Sequence, residues 1–250
     1  MNRTSFDIGK VYIIMVDSKT LISIKTQKIL METGCCTLYF SMIVCLYGPP
    51  GCGKGTVSSV LEKNGFFIFT PGNVIRKELE QNGPYAQILR DVNGGSLAPD
   101  DFIRMITKDA IRGHKNIVLD GVPRSRAQAV SLKNELRDAV NIVFDISKAE
   151  CAERVLKRKV CPSCQRSIMP GSSSCQDHPE ERPVIRGDDN EHVFEKRWSV
   201  FENETAPIIP QNAFKIDASQ GIDSVVEMAL LWIESMSKMD SFSSDMTPEH

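Results

Sequence analysis

A chain of 250 residues with 41% hydrophobic and 25% charged residues has room for one large α/β domain with insertions, and its composition excludes fibrous and disordered classes. A formal net charge of −2 gives no support to a general nucleic-acid or membrane-surface role, and no apolar stretch reaches the length of a membrane span, so the chain reads as soluble. Its eight cysteines are scattered, with no signal-peptide pattern ahead of them, which suits a reducing cytoplasm better than a secreted disulfide framework.

Residues 1–41 contain one β-like run, Val11 to Val16, and then a Lys/Thr/Ile-rich stretch ending in Cys35-Cys36. No charged start leads into an adequate apolar region, and Asp7, Asp17 and Glu32 argue against a transit peptide. The segment reads as an N-terminal extension, disordered or non-native; an edge strand or a partner-binding arm is the alternative.

From Met42 to Tyr47 the chain is an apolar run of strand length. It breaks into Gly48-Pro49-Pro50-Gly51-Cys52-Gly53-Lys54-Gly55-Thr56, and a helix begins near Lys54. Glycines let backbone N–H groups crowd an anion, the helix aims its positive end at the same place, and Lys54 adds a mobile charge. The competing reading is a strand-to-helix turn that touches no ligand.

The helix should run to Asn64, with a short strand at Phe66 to Phe69. Thr70 then serves as an N-cap and Pro71 as the first residue of a helix reaching Gln81. Asn82-Gly83-Pro84 breaks it, a second helix covers Tyr85 to Val92 and stops at Asn93-Gly94-Gly95, and a third spans Pro99 to Arg112. Asn116 to Asp120 is a buried-strand candidate, followed by a helix over Ser125–Arg137, a strand over Val140–Ile146 and a basic helix over Lys148–Lys159. This alternation predicts a parallel sheet covered on both faces, with ligands at the carboxyl ends of its strands.

Val160 to Asp189 breaks the pattern. It is rich in Pro, Gly, Ser and Cys and too long for an ordinary connection, so it should fold separately. Within it, Cys161-Pro-Ser-Cys164 and Cys175-Gln-Asp-His178 have the spacing of two knuckles that place three thiolates and an imidazole around a structural Zn²⁺. Free thiols and a redox Cys-x-x-Cys are the competing readings. Helix resumes over Asn190–Asn203, a last strand spans Ala213–Asp217, and an amphipathic helix over Ile222–Ser235 precedes a fraying tail, residues 241–250.

The run from Gly48 to Thr56, with Gly55 between lysine and hydroxyl, resembles the P-loop of adenylate kinases and related nucleoside monophosphate kinases. Asp120-Gly-Val-Pro-Arg124 resembles their Asp-Gly-Phe-Pro-Arg, and the likeness extends from Met42 to the final helix. It implies an α/β P-loop three-layer fold with a central parallel sheet over residues 42–240. A nucleotide-binding helical insertion would occupy 70–100 and a lid insertion 160–189. The implied activity is reversible transfer of the terminal phosphoryl group of ATP to AMP with Mg²⁺, giving two ADP, in a monomeric cytoplasmic enzyme whose lid is of the zinc type.

By the same resemblance, Gly51, Cys52, Gly53, Lys54, Gly55, Thr56, Arg154, Arg158, Ser167, Ile168 and Gln220 face ATP. Pro71, Arg76, Ser96, Leu97, Ala98, Gly121, Val122, Pro123, Arg124 and Gln128 face the acceptor, Gln128 reading adenine. Arg186 and Arg197 close over both nucleotides, with Asp188 and Asp189 helping to tie the lid. Lys54, Asp120, Arg124, Arg158, Arg186 and Arg197 form the catalytic set, and Cys161, Cys164, Cys175 and His178 hold the zinc.

The chain departs from the family where Pro71-Gly72-Asn73 replaces Thr-Gly-Asp and Val122 replaces an aromatic residue. Pro71 thereby lacks a hydroxyl and a backbone N–H that could contact the acceptor, Asn73 lacks a carboxylate near the metal's water shell, and Val122 alters the acceptor pocket. These changes leave two alternatives open: a kinase for CMP, UMP or GMP, and a weakly active nucleotide-binding regulatory module.

Overall fold

The computed structural model describes residues 5–8, 11–17, 20–23, 41–90, 96–168 and 171–244. The expected helix stop at Asn93-Gly94-Gly95, the Cys35-Cys36 pair and the last six residues of the tail lie outside them. The chain divides into two units, Met1–Tyr39 and Phe40–His250. In the first, β1 (Ser5–Ile8), β2 (Val11–Asp17) and β3 (Thr20–Ser23) form an antiparallel sheet in that order, and the β-like run seen in the sequence is its middle strand.

The strands of the second unit are β4 (Met42–Tyr47), β5 (Phe67–Phe69), β6 (Asn116–Asp120), β7 (Val140–Asp145), β8 (Lys159–Val160), β9 (Val184–Ile185) and β10 (Phe214–Asp217). Its helices are α1 (Lys54–Lys63), α2 (Pro71–Glu80), α3 (Ala86–Leu89), α4 (Asp100–Gly113), α5 (Arg126–Ser131), α6 (Lys148–Leu156), α7 (Glu191–Val200) and α8 (Ile222–Ser244). Five strands form one sheet in the order β10-β7-β4-β6-β5, every neighbouring pair parallel.

The central strand explains why the sheet is covered on both faces. Val44 and Leu46 of β4 belong to a core cluster with Val57 and Leu61 of α1, Phe144 of β7 and Val225 and Ala229 of α8. Cys45 and Tyr47 belong to a second cluster with Phe102 and Ile103 of α4, Leu119 and Leu132. A strand apolar at consecutive positions has no solvent face, and only helices on either side can bury it. In register, Leu46 of β4 lies beside Asp120 of β6, so the glycine-rich turn and the Asp120 turn leave neighbouring strand ends on one edge.

Several boundaries differ from the sequence expectation. Helix α5 ends at Ser131 rather than Arg137; beyond it the chain continues in turns, with a Leu136 N–H to Leu132 carbonyl bond among them. Helix α6 ends at Leu156 because Lys159 and Val160 are taken into an antiparallel pair with β9 at the base of the lid. Helix α7 passes into a π-helical turn, Phe201–Thr205, and α8 continues beyond Ser235 to Ser244. Among the described residues no helix is long and apolar enough to cross a membrane.

Candidate functional site

The turn after β4 is built around close backbone approach. Gly51 has a φ of 87°, and a Cβ there would lie 2.7 Å from the Cys151 carbonyl oxygen of α6. Only glycine gives the loop that conformation and that proximity. Lys54, the first residue of α1, folds over the loop and donates from Nζ to the carbonyl oxygens of Gly48 at 2.6 Å and Pro49 at 2.9 Å. The ammonium is thereby held over the cradle at the positive end of a helix, where a polyphosphate would replace the carbonyls as its partner.

Asp120 ends β6 and is nearly buried, with Ser58 of α1 donating to its Oδ2 at 3.4 Å. Gly121 follows with φ +76°, and a Cβ there would lie 2.6 Å from the Arg124 guanidinium, whose Nε donates to the Gly121 carbonyl at 2.7 Å. The Arg124 carbonyl accepts from Thr205 Oγ1 at 2.9 Å, so the π-helical turn after α7 props the Asp120–Arg124 loop from behind. The carboxamide of Gln128 is buried in α5. Its Oε1 accepts from the Arg124 N–H at 2.8 Å and its Nε2 donates to Asp100 Oδ1 at 3.0 Å.

Across the cleft, Asp188 and Asp189 organise the arginines. Asp189, whose side chain is fully buried, accepts from Arg158 Nε at 2.7 Å and NH2 at 2.5 Å. Asp188 pairs with Arg186 at 2.6 Å and with Arg197. Burial pulls the Asp188 carboxyl up, but the charges of Arg186 and Arg197 outweigh it and hold its pKa below the usual carboxylate range. Arg76 on α2 bonds to Asn73, and burial together with the charge of Arg186 brings its pKa down to about 10. Burial also lowers Arg186, helped by Arg158, and lowers Arg124 against the pull of Asp120, helped by Arg197 and Arg186. Cationic groups crowded enough to depress one another make a site whose complement is a polyanion.

One cleft of about 1280 Å³ unites these parts. Of the residues expected to face the two nucleotides, all but Val122 line it. Val122 is instead buried in the core cluster with Tyr47 and Leu119, so its side chain supports the loop rather than the pocket. Sequence reasoning missed Asp100, Thr205 and Ser58. Each is a common residue whose importance comes from a partner at least 25 positions away, and no local pattern marks it.

The lid carries the Cys/His set. Cys161, Cys164, Cys175 and His178 place their ligand atoms within 4.8 Å of one another. Cys161 Sγ lies 3.6 Å from His178 Nδ1, Cys164 Sγ 3.6 Å from Cys175 Sγ, and Cys175 Sγ 3.8 Å from His178 Nδ1. A tetrahedron with Zn–S bonds of about 2.3 Å has edges of about 3.8 Å, so donor set and spacing fit zinc with no fifth position. The first knuckle closes through Cys161 N–H to the Arg166 carbonyl at 2.9 Å, with Gln165 in the left-handed region at φ 58°. The lid also touches the core: Arg166 bridges Asp177 of the lid and Glu62 of α1, and Lys63 donates to Gln176.

Comparison with known proteins places this architecture. Residues 46–215 match the family model described as adenylate kinase. The chain is 31% identical over 217 residues to the adenylate kinase of Aster yellows witches'-broom phytoplasma, covering 77% of this chain and 98% of that protein. It is 30% identical to those of Onion yellows phytoplasma, over 77% of this chain and 98% of the relative, and of Phytoplasma australiense, over 79% and 100%. A family match across the sheet, both insertions and the arginine-lined cleft, with relatives covered almost end to end, means that the chain belongs to the adenylate kinase family.

Proposed function

We propose that this chain catalyses reversible transfer of the terminal phosphoryl group of ATP to AMP, giving two ADP. The observation that carries the reading is the convergence of Lys54 and the arginines of five separate segments, Arg76, Arg124, Arg158, Arg186 and Arg197, on one cleft. Two polyanions meeting head to head repel each other, and a shared cationic wall offsets that repulsion without proton chemistry.

In the reaction an AMP phosphate oxygen forms a bond to the γ-phosphorus as the bond from that phosphorus to the β–γ bridging oxygen breaks. No net proton moves, so no dedicated base is needed. The glycine turn from Gly51 to Thr56 binds the donor phosphates, with Lys54 moving from its carbonyl partners onto them. Arg76 and Arg124 hold the acceptor phosphate, while Arg158, Arg186 and Arg197 stabilise the equatorial charge of the moving group. Gln128, beside Ser96, Leu97 and Ala98, contacts the acceptor base; Arg154, Ser167, Ile168 and Gln220 border the donor nucleoside.

Mg²⁺ arriving with ATP would neutralise phosphate charge, and the Thr56 hydroxyl and the Asp120 carboxylate, hard oxygen donors lining the cleft beside the glycine turn, are the groups that would hold it and its water. Zn²⁺ is held by Cys161, Cys164, Cys175 and His178 as a structural ion that stiffens the lid. Closure of lid and acceptor-binding helices shuts out water as a rival acceptor. The enzyme works as a monomer, its site complete within one chain, and in a reducing cytoplasm that suits its free thiols.

A coupled assay of purified protein with ATP, Mg²⁺ and each of AMP, CMP, UMP and GMP tests the reading. AMP should be the best acceptor, and Lys54→Met should lower kcat on the order of 100- to 1,000-fold while the protein stays folded. Preference for another monophosphate, or near-normal turnover in the variant, would overturn it.

A further inference from the structure

We infer that Asp100 is a specificity-determining positioning residue: it locks the Gln128 carboxamide in one orientation and thereby makes the acceptor pocket select a 6-amino over a 6-oxo purine. The inference rests on the proposed placement of the acceptor base against Gln128. Asp100 stands at the first position of α4, outside the phosphate-binding residues. Its Oδ1 accepts two hydrogen bonds, from Gln128 Nε2 at 3.0 Å and from Ser125 Oγ at 2.8 Å. The same Ser125 hydroxyl accepts the Gln128 backbone N–H at 3.2 Å and caps α5, so one short network fixes both the backbone and the side chain of Gln128.

The orientation is decided by what the partners can do. The Arg124 backbone N–H can only donate, so it must face Oε1; the Asp100 carboxylate oxygen accepts, so it faces Nε2. Turning the carboxamide over would set its NH₂ against an N–H and its carbonyl against a carboxylate. Both contacts would then be repulsive in a buried position, where an unmet polar group costs about 1–3 kcal/mol. A free carboxamide has no such preference, because its two ends are nearly the same size.

With one N–H and one lone pair committed, Gln128 retains one donor and one acceptor in a fixed order. Adenine offers an N6–H donor and an N1 acceptor on its pairing edge, whereas hypoxanthine offers an O6 acceptor and an N1–H donor in the reverse order. An unlocked glutamine satisfies either by flipping. A locked one satisfies only one, and the other base meets donor with donor and acceptor with acceptor.

The test compares kcat/KM for AMP and IMP, which differ only at this edge, in the full-length enzyme with ATP and Mg²⁺. Wild type should favour AMP. Asp100→Ala should shrink the AMP:IMP ratio at least tenfold, through the acceptor KM, with the KM for ATP unchanged. Asp100→Ser, too short to reach Gln128 yet well tolerated at a helix start, provides a second variant in which the Arg124 N–H alone orders the carboxamide, should the alanine change fail to fold. Asp100→Asn loses the charge but keeps an oxygen where both bonds converge, and should hold the ratio within about threefold of wild type; that rescue separates bonding to Gln128 from any effect of charge on α4.

A ratio unchanged in Asp100→Ala or Asp100→Ser, a ratio lost equally in Asp100→Asn, or a wild type indifferent to AMP and IMP would each overturn the inference while leaving phosphoryl transfer intact. Wild-type protein that phosphorylates neither AMP nor IMP would instead defeat the proposed function itself.

Discussion

The aspartates of the lid base, Asp189 buried and Asp188 half-buried, do more for the cleft than their exposure to a ligand suggests. Asp189 neutralises Arg158 by a two-point contact and also lies 3.6 Å from Arg197, so replacing it strands the Arg158 guanidinium in a partly desolvated cluster and leaves Arg197 to Asp188 alone. Asp189→Ala should therefore lower unfolding free energy by roughly 3 kcal/mol in urea titrations. Saturating nucleotide should restore part of the loss by supplying other anions.

The neighbouring Asp188 has its folded pKa depressed by Arg186 and Arg197, so its contribution to stability is present above the unfolded value. That contribution disappears as pH falls through the lower folded value. Acid unfolding of Asp188→Asn should lack this component of the pH dependence, which equilibrium denaturation between pH 6 and about pH 3 would show. The pairs were legible only in part: Arg186 and the two aspartates stand together in the sequence, but nothing there says that Asp189 reaches back to Arg158.

Among the elements, the lid is the one that cannot hold itself together by apolar burial. Its strands β8 and β9 are two residues each, and Val184 and Ile185 are exposed. A short, hydrophobe-poor insertion needs a cross-link, and the Cys161/Cys164/Cys175/His178 set would provide one on binding zinc, whose tetrahedral spacing its ligand atoms fit. Protein expressed with zinc should carry about one equivalent per chain by elemental analysis. Cys161→Ser should lose it and melt on the order of 10 °C lower. Because the lid also carries Arg166, which bridges to Glu62 on α1, a loosened lid should raise the KM for ATP more than that for AMP. The sequence announced these ligands through their paired knuckle spacing; their approach to within bonding distance depended on the turn at Gln165 and the β8–β9 pair.

For the molecule as a whole, mutual repulsion among the cleft arginines is a cost of the ligand-free fold that nucleotide binding relieves. ATP and AMP together, each near 100 times its dissociation constant, should raise the melting temperature by more than either alone. Each ligand is worth about 2.7 kcal/mol at that ratio, or roughly 5–10 °C for a chain of this size. Raising salt from 0.05 to about 0.5 M should shrink the shift, since screening weakens both the repulsion and its relief.

The sequence by itself determined the parallel sheet, the phosphate cradle, the Asp120–Arg124 turn and the Cys/His set of the lid, because each depends on neighbouring residues: apolar runs, glycines that reach positive φ without strain, cysteines paired at short spacing. It could not place the ends of α5 and α6, which are set by the turn bond at Leu132 and by the pairing of β8 with β9. Nor could it reveal that Asp100 grips Gln128, that Thr205 props Arg124, or that Val122 turns into the core. Those decisions belong to the tertiary structure, since a hydrogen bond or a packing contact between residues distant in the chain exists only once the sheet and its crossovers have brought them together.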